Sequence, residues 1–410
     1  MEEPLFGFLL ATCQRGAELA LRREVLKRYP SLHPAYGRPG FVTFKVTGAL
    51  LTPHFRLEST FARAWAFSLG KLTGETPETK VAEAWEKVAA YPIRWVHVWP
   101  TDPLPAGDYD FEPQLTPEAA SVHALFLSRC PRANQLAQGA DDPTVPARRG
   151  DWVLDCVIVR EGEWFLGVHV ASDVPSRYPG GLMPLKLPPE AVSRAYLKMK
   201  QALLWSEFPL RPGGRWLEIG CAPGGSAQAL LETGQIVVGV DPAEVDPRIL
   251  AHPNFTHIRK RISRVPRRLL RKIRWLSADM NVAPNYTLQV VESIVLNQHV
   301  SIRGMILMLK LLDWGQAEHI DQYLDRIRSW GFNRVQARQL QFNRQEICVA
   351  ALQKPFRPKP LPTRVRRCKR TTHQAHSGRN LASGSLEAPS STPGPHPDSQ
   401  PSVAQGHPPN

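Results

Sequence analysis

The sequence lacks any apolar run that approaches the roughly eighteen residues of a membrane-spanning helix. Its opening segment, MEEPLFGFLL, carries two acids where a secretory signal peptide carries basic residues. These two absences argue against a membrane-spanning or exported protein. We therefore expect a protein that has no membrane contact and resides in the cytoplasm.

Cysteine is scarce, and the spacing of the cysteines argues against a zinc site or a redox-active pair of thiols. The six cysteines include no CxxC pair, the usual spacing of zinc ligands and of redox-active thiols. Scattered cysteines in a chain of 410 residues are typical of reduced, mostly buried side chains. The sequence thus predicts no metal site.

Acidic residues are few relative to basic ones. Lys and Arg total 51 against 37 Asp and Glu, which gives a formal net charge of +14. Such a surplus of positive charge favours a polyanionic partner. With a membrane disfavoured, we expect that partner to be a nucleic acid.

The composition divides the chain into three regions, which are residues 1–178, 185–354 and 355–410. The last region is basic near its start, rich in Pro and Ser, and almost without large apolar residues, so it cannot form a core. We predict a disordered basic tail, which is either a solvated terminus or a nonspecific RNA tether.

Residues 1–178 mix strand and helix patterns. FVTFKV alternates as a strand does, GAELALRREVLKRYP has helical spacing, and DWVLDCVIV and WFLGVHVA flank the turn REGE. This mixture predicts an α+β region in which helices pack on one antiparallel sheet.

Residues 185–354 alternate between strands and helices. A predicted helix over residues 188–206 precedes the strand RWLEIGC, and the alternation ends with a predicted antiparallel pair, RVQARQLQF and QEICVAALQK. The pattern predicts the α/β class, with a doubly wound, mainly parallel, Rossmann-like sheet.

A glycine-rich turn follows the first strand of this region, and the second strand, QIVVGVD, ends in an acid suited to ribose hydroxyls. The spacing is not that of a dinucleotide fold, GxGxxG, and a proline removes a backbone donor that a pyrophosphate would need. S-adenosylmethionine fits the turn better, although a plain turn without a ligand is the alternative. The predicted cofactor-binding residues are Gly220, Cys221, Ala222, Pro223, Gly224, Gly225, Asp241 and Asp279.

Four charged residues are candidates for catalysis. Asp279 and Lys310 end strands whose carboxyl ends lie on the edge that carries the glycine turn. Glu346 opens the last strand, and the helix before the first strand supplies Lys198, although periodicity alone leaves Lys200 equally eligible. Taken singly, none of them indicates catalysis, since a lone Lys after a strand is usually a solvated strand end and a lone Glu in a hairpin is usually a cross-strand partner.

Together these residues resemble a known family. SRAYLKM, GCAPGG, SADM, LMLKL and NRQE are similar to the motifs of FtsJ/RrmJ-type ribose 2′-O-methyltransferases, and PLKLPPEAVSR and VQARQLQFNRQE resemble the branch that modifies a cytidine of large-subunit ribosomal RNA. The resemblance implies a Lys-Asp-Lys-Glu tetrad, S-adenosylmethionine as cofactor, and a THUMP-like RNA-binding region at residues 1–178. Ser226 and Arg261 depart from the family pattern, in which a Trp and an acid stand at these places.

The chemistry of ribose methylation assigns a role to each tetrad residue. The hydroxyl must lose a proton as it attacks a sulfonium methyl, and Lys310 is the expected general base. Desolvation and a second cation, Lys198, should lower the pKa of Lys310. Asp279 would orient the ammonium groups, and Glu346 would position Lys198 or the ribose.

The segment 257–274 carries nine Lys or Arg and no acid, and its place in the fold order predicts a position beside the active site. It is either a solvated face or a phosphate-binding surface, and we favour the second. The candidates for RNA binding are Arg267, Arg268, Arg271 and Lys272.

The sequence therefore predicts a monomeric, S-adenosylmethionine-dependent RNA ribose 2′-O-methyltransferase that acts on a cytidine of large-subunit ribosomal RNA. Two alternatives remain open. One is the same chemistry on a transfer RNA or a messenger RNA cap. The other is a catalytically inactive protein that binds RNA or assists ribosome assembly.

Overall fold

The structure, a computed structural model, describes residues 4–353. The predicted tail at 355–410 lies outside these residues. Within them, no helix combines the length and the apolar character that crossing a membrane requires. All five cysteines of this part of the chain are free, and four of them are buried.

The first sheet is built from the N-terminal half of the chain. Its strands and helices are β1 (Phe8–Thr12), α1 (Glu18–Arg28), β2 (Leu32–Arg38), β3 (Phe41–Val46), β4 (Ala64–Lys71), α2 (Pro77–Lys87), β5 (Ile93–Pro100), α3 (Pro117–Ser128), β6 (Trp152–Arg160) and β7 (Glu163–Val170). Thr76 caps α2 by accepting from the Thr79 amide, and Pro77 fills the first turn, where no donor is needed.

The seven strands lie in the order β2-β3-β1-β4-β7-β6-β5. The predicted hairpin, β6 with β7, is antiparallel as expected. The prediction of a purely antiparallel sheet was wrong at one place, since β5 and β6 are parallel. The reason is that α3 lies between them in the chain and carries it back across the sheet, as a parallel connection requires. The segment of β2, LHPAYGR, was not predicted as a strand because its proline and glycine break the pattern.

A buried ion pair stabilises this half of the molecule. The guanidinium of Arg63 contacts both oxygens of Asp102, at 2.5 and 3.0 Å, and only 5% and 4% of the two side chains are exposed. Arg63→Met is expected to lower the free energy of unfolding by about 3–5 kcal/mol, because it leaves the Asp102 carboxylate buried without its partner. Urea denaturation measures the loss.

The matched control is Arg328→Met, which removes an exposed pair with Asp325, where 47% and 73% of the side chains are accessible. Such pairs contribute about 0–1 kcal/mol. Equal losses in the two variants would contradict a special role for the buried pair.

The second sheet follows in the chain. Its strands and helices are α4 (Ala195–Ser206), β8 (Arg215–Ile219), α5 (Gly225–Leu231), β9 (Ile236–Val240), α6 (Pro247–Leu250), β10 (Phe255–Ile258), β11 (Trp275–Asp279), α7 (Pro284–Val295), β12 (Gly304–Lys310), α8 (Ile320–Ser329), β13 (Arg334–Arg338) and β14 (Glu346–Leu352). The strands β8, β11 and β12 are almost wholly buried, as expected for a parallel sheet covered on both faces.

The strand order is β10-β9-β8-β11-β12-β14-β13. The first five strands are parallel to one another, and β14 is antiparallel to both of its neighbours, β12 and β13. The mainly parallel sheet and its final antiparallel pair are as predicted. The chain moves from β8 to one side through β9 and β10, then returns to the other side of β8 with β11. The carboxyl ends of β8 and β11 therefore form a topological switch point, where open α/β sheets bind ligands.

The helix predicted over 188–206 begins only at Ala195. The backbone before it makes a tertiary contact instead of a helical turn, since the Val192 amide donates to the side-chain oxygen of Gln228 at 3.0 Å. The consequence for the site is that Arg194 lies at the start of α4, one turn before Lys198.

Candidate active site

A cavity opens at the switch point. Its volume is about 150 Å³, and its lining comprises Ala195, Lys198, Glu218, Gly220, Cys221, Ala222, Gly225, Ser226, Asp279, Asn281 and Lys310. A larger cleft of about 980 Å³ lies near Arg328 and Arg338, but none of the predicted site residues lines it. The structure thus gathers most of the predicted cofactor and catalytic residues around one small cavity.

The four candidate catalytic residues form a closed group of alternating charge. Lys198 Nζ lies 2.5 Å from Asp279 Oδ2 and 3.1 Å from Glu346 Oε1. Lys310 Nζ lies 3.0 Å from Asp279 Oδ1 and also contacts Glu346 Oε2. Each ammonium group therefore meets both carboxylates, and the positive and negative charges balance.

Strand pairing produces this arrangement. Lys310 and Glu346 face each other as partners in the antiparallel pair of β12 with β14, and Asp279 ends the neighbouring strand β11. Lys198 reaches the group from α4, and only 10% of its side chain is accessible. Lys200 points elsewhere and pairs with Glu232 at 2.6 Å. Of the two lysines that periodicity left open, Lys198 and not Lys200 lies in this group.

The charges around Lys310 overturn one expectation. Burial alone lowers its pKa, but Asp279 and Glu346 outweigh burial and raise the pKa above its usual value. The prediction that the pKa of Lys310 is lowered was wrong for the protein without ligands. The reason is that two carboxylates, and not one, face its ammonium group. Burial likewise raises the pKa of Asp279, but Lys198 and Lys310 reverse the effect and hold it below its usual value.

The glycine turn is shaped for close approach. Gly220 has φ +79°, and a Cβ there would lie 2.5 Å from the carbonyl oxygen of Asp279. A Cβ on Gly225 would overlap the hydroxyl of Ser193. The turn also meets Asp241, whose carboxylate accepts from the amides of Ala222 at 3.2 Å and Ala243 at 2.8 Å. The acid at the end of the second strand is thereby fixed beside the turn.

Glu218 is a functional candidate that the sequence analysis missed. It lies on β8, is 1% exposed, and its Oε2 has no hydrogen-bond partner. Burial, followed by the charges of Asp279 and Asp241, raises the pKa of Glu218. The signal in the sequence was a lone acid inside the apolar strand RWLEI. Ser226, which departs from the family pattern, lies on the same cavity wall.

The basic segment is placed differently from the prediction. It leaves the carboxyl end of β10 and runs to the opposite edge, where β11 begins, so the Arg274 amide bonds to the Arg215 carbonyl at the start of β8. Arg268, Arg271 and Lys272 are exposed near that opposite edge. They therefore do not adjoin the tetrad, which lies at the far end of β11.

Arg267 is occupied within the protein. Its guanidinium donates to the carbonyls of Ile262 and Val265 and to the hydroxyl of Ser293. Of the four candidate RNA-binding residues, it has the least freedom to reach a phosphate.

A group of potential metal ligands lies in the first sheet. His97, Asp155 and His169 are buried, and their donor atoms lie within 4.8 Å of one another. His169 Nδ1 and Asp155 Oδ2 are only 2.5 Å apart, which is a hydrogen-bond distance. Two ligands of one zinc ion lie farther apart, since each is about 2 Å from the metal at a tetrahedral angle. In this conformation the pair is hydrogen-bonded and not arranged around an ion.

Known proteins resemble the chain over both sheets. Residues 191–338 match the family model of the FtsJ-like methyltransferases. The chain is 30% identical over 362 residues to the ribosomal RNA large subunit methyltransferase M of Methylococcus capsulatus, covering 83% of this chain and 96% of that protein. A second alignment, to the same enzyme of Halorhodospira halophila, is 30% identical and covers 45% of this chain but only about half, 53%, of that relative. A solved structure of TrmN from Thermus thermophilus is 15% identical, and the alignment covers 84% of this chain and 99% of that one. Its TM-score of 0.30 is too low to support an inference.

Proposed function

The chain belongs to the family of the ribosomal RNA large subunit methyltransferase M, and from this we propose that it methylates the ribose 2′-hydroxyl of a cytidine in large-subunit ribosomal RNA. The protein is an RNA methyltransferase, and S-adenosylmethionine is its cofactor. The observation that carries the finer assignment is the closed group of Lys198, Asp279, Lys310 and Glu346 at the switch point.

The cavity suits the cofactor. The turn at 220–225 permits close approach of a ligand, since side chains at its glycines would overlap neighbouring atoms. The carboxylate of Asp279 lines the same cavity and favours a cationic ligand. We assign the ribose of the cofactor to Asp241, beside the turn. The cofactor supplies an electrophilic methyl group on a sulfonium.

Cofactor binding should depend on the close approach at Gly220. Gly220→Ala is expected to weaken the affinity for S-adenosylmethionine at least tenfold, because the new Cβ would lie 2.5 Å from the Asp279 carbonyl and displace it. Isothermal titration calorimetry on the full-length protein measures this affinity.

The chain offers a matched control in Gly213→Ala. Gly213 has the same φ of +79°, but a Cβ at this position would meet no atom within 4 Å. Both variants therefore carry similar backbone strain, of about 1–2 kcal/mol, while only one crowds the cavity. Equal affinities in the two variants would show that the turn does not hold the cofactor.

Lys310 is the proposed general base. It carries a proton in the free protein because its pKa is raised, so it must first release that proton to solvent water and can then accept one from the ribose hydroxyl. Its pKa falls when a cationic ligand shares the Asp279 carboxylate and water leaves the cavity. Lys198 and Glu346 hold Asp279 and Lys310 in place during this change.

We further propose that residues 1–178 form a THUMP-like RNA-binding region, that residues 185–354 form the catalytic domain, and that Arg268, Arg271 and Lys272 contact phosphates of the same RNA away from the tetrad. The net charge of +14 supports such contacts.

Mapping of ribose methylation tests the function. Ribosomal RNA from cells with and without the protein should differ at one cytidine of the large subunit, and the purified protein should restore that methylation in vitro. Identical maps, together with methylation of a transfer RNA or a messenger RNA cap by the purified protein, would overturn the assigned substrate.

A further inference from the structure

One turn of the N-terminal half presents an aromatic ring to solvent. Tyr109 is 93% exposed, the largest value among the exposed large hydrophobic side chains of residues 4–353. It adopts a left-handed backbone conformation with φ 48°, and Asp110 follows with φ 58°. Such a conformation costs a residue other than glycine about 1–2 kcal/mol. Strain of this kind persists only where the surroundings hold it.

Two arginines hold the turn. Arg344 Nη2 donates to the carbonyl of Gly107 at 2.6 Å. Arg194 binds both oxygens of Glu112, with Nη2 lying 2.9 Å from Oε2. Gly107 packs so closely on both guanidinium groups that a Cβ there would overlap them. The turn at 107–112 is thus fixed at each end.

The same two arginines adjoin the tetrad. The carbonyl of Arg194 accepts from the amide of Lys198 one helical turn later, and the carbonyl of Arg344 accepts from the amide of Glu346 at 2.8 Å. Tyr109 is two residues from Gly107, so the two Cα atoms lie at most about 7 Å apart. Tyr109 therefore belongs to a turn that is held by Arg194, four residues before Lys198, and by Arg344, two residues before Glu346.

The charge around the ring restricts what it can contact. Asp108 and Asp110 flank Tyr109 and are both exposed. Their carboxylates repel phosphate, so the turn is unsuited to the RNA backbone. A nucleobase presents a flat face without charge, and aromatic side chains commonly stack on unpaired bases of RNA.

We propose that Tyr109 stacks on an unpaired base next to the nucleotide whose ribose enters the site of Lys198 and Lys310. The proposal rests on the proposed function, because it takes RNA as the ligand of this site. It adds a subsite for a base, supplied by the N-terminal half of the chain and clamped to the catalytic half.

Three variants of the full-length protein test the proposal. Tyr109→Ala should weaken RNA binding about 5- to 150-fold, the equivalent of the roughly 1–3 kcal/mol of one stacked base, with cofactor affinity unchanged. Tyr109→Phe keeps the ring and should stay within about twofold of wild type. Tyr109→Gly removes the ring and also relieves the strained backbone. If both Tyr109→Gly and Tyr109→Ala lose RNA affinity, the missing ring and not a disturbed fold is the cause.

A fluorescent base provides a second readout. A large-subunit RNA fragment carrying 2-aminopurine beside the target cytidine should be quenched by wild type and Tyr109→Phe but not by Tyr109→Ala. Unchanged RNA affinity and quenching in Tyr109→Ala would overturn the base subsite, while methylation by wild type would leave the proposed function standing. If Tyr109→Ala instead lost only an affinity for ribosomal proteins, the ring would be a protein-docking group and the proposal would be wrong.

Discussion

Lys310→Arg is expected to lower the single-turnover rate of methyl transfer by about 10²- to 10⁴-fold, the usual contribution of a general base. Arginine keeps the positive charge that Asp279 and Glu346 face, but its guanidinium cannot accept a proton at any ordinary pH. Affinities for RNA and cofactor should change little, because the charge balance of the site is preserved. A single-turnover assay with radiolabelled cofactor separates the chemical step from binding.

The matched control is Lys200→Arg, on the same helix as Lys198. Lys200 pairs with Glu232 and lies outside the tetrad, so its substitution should leave the rate unchanged. If Lys310→Arg kept most of the single-turnover rate, Lys310 could not be the base. The tetrad would then act through orientation and charge alone, with the ribose proton passing to water.

Local patterns predicted the part of the site that one sheet edge brings together. The apolar strands RWLEI and GMILMLK are buried on both faces, and parallel strands place their carboxyl ends on one edge. Asp279, Lys310 and the glycine turn could therefore be expected to meet on the strength of the sequence alone, and the structure brings them together.

The charge environment of Lys310 could not be derived in the same way. It depends on the register of β12 with β14, which places Glu346 directly opposite. Sequence spacing shows that a strand pair exists but not which residues face each other across it. Asp279 raises the pKa of Lys310, and the further increase that Glu346 causes follows only from that register.

The sequence analysis predicted the wrong edge of the sheet for the basic segment at residues 257–274. A chain that leaves β10 at the carboxyl edge must cross to the amino edge before β11 can begin. Arg271 and Lys272 lie near the end of that crossing, far from the ligand edge although close to it in sequence. The turn at Tyr109 was not anticipated either, since its position depends on Arg194 and Arg344, far away in the chain.

Asp279→Asn should have the largest effect on stability among substitutions in the tetrad. The carboxylate lies between the two ammonium groups and is 16% exposed, so its loss leaves two largely buried cations facing one acid. We expect a loss of about 3–5 kcal/mol in the free energy of unfolding at pH 7. Transfer should fall as well, because the same oxygens orient Lys198 and Lys310.

The dependence of this loss on pH identifies its origin. Because the fold lowers the pKa of Asp279, its stabilisation is complete above the unfolded value of about 3.9 and disappears as pH falls through the folded value. Urea unfolding of wild type and Asp279→Asn should therefore differ fully at pH 7 and converge at strongly acidic pH. Asp325→Asn, in an exposed pair, should change stability little at any pH. A difference for Asp279→Asn that persisted undiminished at acidic pH would mean that packing, and not charge, holds the four residues together.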